Sequence, residues 1–157
     1  MDSNTIKLAI SNQYQRSLLM FREVVSAFPV DEWKVVDNYY PRPAAIGYHT
    51  LETIDFYTSG KSSDKFPWGH RFSIEWETKD YERLPSQQQL LIYLDEMEAR
   101  LEEWFNQVNM SAGEETYKWT GDTKLEHTIY VLRHTHQHTA ELSLELHHRG
   151  YQTPDWR

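Results

Sequence analysis

Cysteine is absent from the 157 residues. That removes a disulfide framework, a thiolate zinc finger and a cysteine nucleophile, and it leaves any metal to nitrogen and oxygen ligands. Long apolar runs are missing too: nowhere do 18 apolar residues follow one another, so no membrane span is expected. The opening stretch MDSNTIKLAI lacks a basic region followed by an apolar one; no signal peptide is expected, and a cytoplasmic location follows by default. Basic charge is scarce, with 16 Lys and Arg against 24 Asp and Glu for a net charge of −8 spread along the chain. Without a basic stripe the chain is not expected to bind nucleic acid.

What is present is helical periodicity. Ile6, Ile10, Tyr14, Leu18, Phe21, Val25 and Phe28 recur every three or four residues and predict an amphipathic helix over about residues 5–27, stopped by Pro29. A second helix is expected from Arg42 to Ala45 onward, running to about Thr58 and ending at Gly60, with Ile46, Leu51 and Ile54 on its apolar face. Leu90, Leu94, Met97, Leu101, Trp104 and Val108 mark the third, capped by Ser86 after Pro85. Asp122 or Thr123 caps the last, which ends at Gly150. The Tyr39-Tyr40 pair between the first two helices is read as packing.

Residues Lys61 to Pro85 form a connection of 25 residues. Connections of that length are often covers or binding loops. Arg71 to Thr78 alternates enough for a short strand, although no other stretch offers it a partner. Four helices without a credible sheet predict one all-α domain, a four-helix bundle with a long crossover between helices 2 and 3. Aromatic residues on more than one side of the first and third helices suggest a homodimer, and a wide core would give the same pattern.

The last helix carries six of the eight histidines. At about 100° per residue, His134 and His138 sit one turn and roughly 40° apart, so their rings can converge on one point. His127 and Glu141 each lie about 20° from His134 on the same wheel, giving one stripe of groups able to bind a metal or carry protons. His136 points nearly the opposite way, and His147 and His148 lie further on. A histidine pair at i, i+4 is the spacing zinc sites use, because neutral imidazole is a good ligand for a borderline ion. The pair supplies half a coordination shell, and Thr135 stands where a metalloprotease glutamate would be. His49, early in the second helix, is the third candidate ligand; His70, in the long connection, ranks below it.

Gly47-Tyr48-His49, Arg133-His134, Gln137-His138-Thr139-Ala140-Glu141-Leu142 and His148-Arg149-Gly150 with Pro154 after it together resemble the DinB/YfiT-like family of metal-dependent bundle proteins, over essentially the whole chain. The resemblance implies a divalent metal, zinc or nickel, held by His49, His134 and His138, and a small-molecule substrate. It also implies hydrolase-like chemistry, or a thiol-dependent transferase or isomerase acting with a low-molecular-weight thiol. Where the family often has Arg-Gly-Gln-Leu after the last histidine, this chain has Thr139-Ala140-Glu141-Leu142. Glu141 is then a fourth ligand, an acceptor orienting an imidazole N–H, or an exposed side chain. Glu141 and His127 are the candidate proton carriers. The competing expectation is a non-catalytic bundle, with a vestigial site and an acidic, aromatic surface for another protein.

Overall fold

The computed structural model describes residues 3–36 and 42–156, with the side chain of residue 3 excluded. Among them are four long helices, α1 (Ser3–Ala27), α2 (Pro43–Ser59), α3 (Gln87–Gln107) and α4 (Lys124–His148), and no named strand. The expected boundaries follow local chemistry. α3 and α4 each open with a capping box, Ser86 with Gln89 and Thr123 with Glu126, which satisfies otherwise orphaned amides. α2 starts with Pro43 and stops at Gly60, whose φ of 70° is a left-handed conformation that costs glycine little.

α1 and α2 each pack on both α3 and α4, so α1 lies across the bundle from α2, and α3 from α4. Side-chain pairs fix the directions. Arg22 pairs with Asp95 and Glu98 while Gln87 reaches Val25 and Phe28, so α1 and α3 are antiparallel. Tyr14 meets Thr128 and Arg149 meets Glu32, so α1 and α4 run the same way. Tyr93 reaches both Tyr48 and Asp55, and Arg100 reaches Asp55, which makes α2 and α3 parallel neighbours. Parallel neighbours need a connection that returns along the bundle, and residues 60–86 supply the expected crossover.

That crossover contains no strand. Arg71 to Thr78 is turns and bends, with Ile74 N–H bonded to Gly69 O and Thr78 N–H to Glu75 O. The alternation was a weak signal, because a lone strand leaves its backbone groups unpaired whereas local turns satisfy them. The Tyr39-Tyr40 pair lies outside the described residues.

Phe21, Val25, Leu51, Ile54, Leu90, Leu94, Leu142 and Leu146 fill the centre with essentially no exposure. Gly47 lets α2 and α3 approach: a methyl group there would come 2.6 Å from Leu90 Cδ2 and 3.1 Å from the Trp33 ring. No helix among the described residues is long and apolar enough to cross a membrane.

Candidate metal centre

Thr135 and Thr139 of α4 and Thr50 of α2, neighbours in sequence of the histidines, are all buried. Each hydroxyl donates to the carbonyl four residues back in its own helix. Small side chains that satisfy themselves locally allow close approach without orphaned polar groups. At this seam the imidazoles of His49, His134 and His138 meet.

Their Nε2 atoms converge. His134 Nε2 lies 3.2 Å from His49 Nε2 and 3.1 Å from His138 Nε2, and the ligand atoms of all three residues lie within 4.8 Å of one another. All three residues are half-buried. Burial, reinforced by the neighbouring imidazoles, pushes His49 down to about 3 and His134 to about 4. Both rings are therefore neutral at neutral pH, the form that ligates metals.

The arrangement fits an ion. Two nitrogens at about 2.1 Å from a shared zinc stand roughly 3.0–3.4 Å apart for angles near 90–110°, which matches the two separations from His134. Hydrogen bonding alone accounts for it poorly: His134 Nε2 offers one proton or one lone pair, and it faces two nitrogens. Glu141 settles the tautomer of His138. Its Oε2 accepts from Nδ1 at 2.6 Å, which leaves the Nε2 lone pair aimed at the cluster. Of the three roles open to Glu141 in the sequence, the structure places it as this acceptor. Nδ1 of His49 and Nδ1 of His134 are buried without a partner among the described residues. Compared with known proteins, the chain matches no family model and no curated protein. The metal-binding capacity of this site therefore rests on its own geometry.

His127 does not join this centre. It shares the stripe, but seven residues of helix carry it about 10 Å away. There it is 2% exposed, its Nε2–H donating to Tyr57 O at 3.3 Å and its Nδ1 facing the Thr120 hydroxyl at 3.1 Å. The ring stacks on Tyr117, with Glu114 3.8 Å off. Burial holds the His127 pKa below its ordinary value; Glu114 opposes this, but Lys124 already pairs with that carboxylate. His70 is also elsewhere, its Nδ1–H donating to Pro67 O and its Nε2 3.5 Å from Asp55. His136 turns outward and stacks on Trp156.

Three further residues on or against α2 were given no role by the sequence. Trp76, from the crossover, lies against His49 with ring centroids 4.3 Å apart. Glu52 and Asp55 are buried on α2, Glu52 accepting from Gly69 N–H at 2.6 Å and Asp55 from the Tyr93 hydroxyl at 2.7 Å. Burial pushes the Glu52 carboxyl up, against the Gly69 amide and Tyr48 hydroxyl that favour its anion. Two acids three residues apart on a helix with no other Asp, Glu, Lys or Arg were the available signal.

Proposed function

We propose that this protein is a metal-dependent enzyme of the DinB/YfiT-like kind, acting on a small molecule as a hydrolase or as a transferase to a low-molecular-weight thiol. His49, His134 and His138 hold its divalent ion, zinc or nickel. The convergence of three Nε2 atoms from two helices carries this reading. A divalent ion on three neutral imidazoles keeps open positions and lowers the pKa of water or a thiol placed there, making a nucleophile at neutral pH.

The protein side of the chemistry falls to named groups. The three imidazoles fix the centre on two packed helices. Glu141 keeps the proton of His138 on Nδ1, and its side chain is 40% exposed, so the carboxylate can also exchange a proton with a reacting group. His127 has no part in this proposal, since both its nitrogens are engaged in a sealed pocket.

The test is metal content. Protein produced in zinc- or nickel-supplemented medium is expected to hold about one ion per chain, and His138→Ala to lose it. Absence of metal from the wild type, in an assay that detects zinc in a control protein, overturns the reading. A second reading follows from the same geometry, because the site spans α2 and α4: the ion clamps a non-catalytic bundle. Metal that raises Tm while no ester hydrolysis or thiol transfer is detected with a panel of small substrates supports the clamp.

A further inference from the structure

The crossover climbs back along α2 and is fastened to one stripe of that helix. Gly69 N–H donates to Glu52, the His70 ring sits beside Asp55, and Trp76 lies against His49. Positions 49, 52 and 55 are three residues apart, so they step round α2 by about 60° each, and one slanting row carries the metal ligand and both anchors of the connection. Further contacts lock the stretch between them. Phe72 packs edge-on against Tyr48 and Tyr93, and Arg71 pairs with Glu96 on α3. Glu52 is 1% exposed, so its bond to Gly69 is shielded from water and hard to exchange. A segment clipped at each turn of α2 is a fixed wall. The indole it carries is half-buried, with its ring against His49, and the backbone that leads to it is held by those contacts.

We infer that Trp76, positioned by Glu52 through Gly69, limits the size of what reaches the three-histidine centre, so that the site accepts slender ligands and excludes bulky ones. The inference rests on the centre holding a metal. It narrows the substrate class to compact molecules: a rigid aromatic wall discriminates by steric exclusion, and its removal admits larger groups and faster exchange.

Cobalt(II) is the probe, since its visible spectrum reports both loading and thiolate binding. Wild-type protein loaded with cobalt is expected to bind 2-mercaptoethanol but not a naphthyl thiol, and to release the ion slowly to EDTA. Trp76→Ala keeps the same cobalt stoichiometry, gains the naphthyl thiol and loses cobalt to EDTA about tenfold faster. Trp76→Phe restores most of the exclusion. Glu52→Ala moves both readouts in the same direction by less, whereas Glu52→Gln, which still accepts from Gly69 N–H, stays near wild type. Should Trp76→Ala lose its helical circular dichroism, Trp76→Leu carries the same comparison. A wild type that takes up no cobalt defeats the metal reading itself. A Trp76→Ala protein that loads fully yet matches wild type in release rate and thiol choice overturns the inference alone.

Discussion

His134 and His127 stand about two turns apart on one face of α4 and meet opposite fates. His134 opposes another imidazole on α2, and the nitrogens left facing each other have no proton arrangement that satisfies them all. His127 opposes a backbone carbonyl, Tyr57 O, and lies against the Thr120 hydroxyl, so its neighbours are oxygen groups of the protein and not other imidazoles. The first environment is half-buried and leaves nitrogen lone pairs pointing at a common centre; the second is sealed. What the neighbouring segments present decides whether a histidine on that stripe joins a group that could hold an ion or is enclosed by oxygen acceptors and rings.

Substitution at the two places should separate these roles. The largest effect is expected at the triad: His49→Ala or His138→Ala drops metal from about one ion per chain to near none, measured by elemental analysis, while His127→Ala retains it. Retention by the triad variants and loss by His127→Ala would invert the comparison. Next, His127→Ala should cost about 2–4 kcal/mol in urea unfolding, because it opens a cavity and orphans the Tyr57 carbonyl. His49→Ala, in metal-free protein, should cost less, since no hydrogen bond to a backbone or hydroxyl partner is lost.

Glu141→Ala frees the His138 ring, and metal affinity is expected to fall about 10–100-fold by competition with a chelator, with Glu141→Gln closer to wild type. The smallest effect concerns pH. His127 has a folded pKa below its unfolded value, so between the two the unfolded chain binds more protons and stability rises with pH. Stability should therefore weaken as pH falls through about 6.5, the unfolded value, and His127→Gln should reduce that slope in urea titrations at several pH values, with His49 and His134, whose pKa values are also lowered, carrying the rest. Gly47→Ala, on the side of α2 that meets Leu90 and Trp33, tests bundle packing: overpacking there should cost about 1–2 kcal/mol in urea unfolding.

Much of the bundle was legible because helix periodicity, caps and stops are local. Ser86, Thr123 and Gly60 act where the sequence places them. The i, i+4 pair His134 and His138 was legible for the same reason, one turn of helix being enough to bring two rings together. The crossover was legible as a length and illegible as a structure. Its Arg71 to Thr78 alternation suggested a strand, while the hydrogen bonds that hold it are local turns and the Glu52 anchor.

The sequence by itself determined four helices, their ends, the long return between the second and third, and which α4 residues share a face, because each depends on neighbours within a few positions. Only the tertiary structure decided that His49 completes the cluster, that His127 is sealed against Tyr57 and Tyr117, and that Trp76 lies on the His49 ring. A helical wheel gives angle but not depth along the axis, and it says nothing of the helix opposite. Those two coordinates are supplied by packing between residues more than 50 positions apart, as with residues 49 and 134.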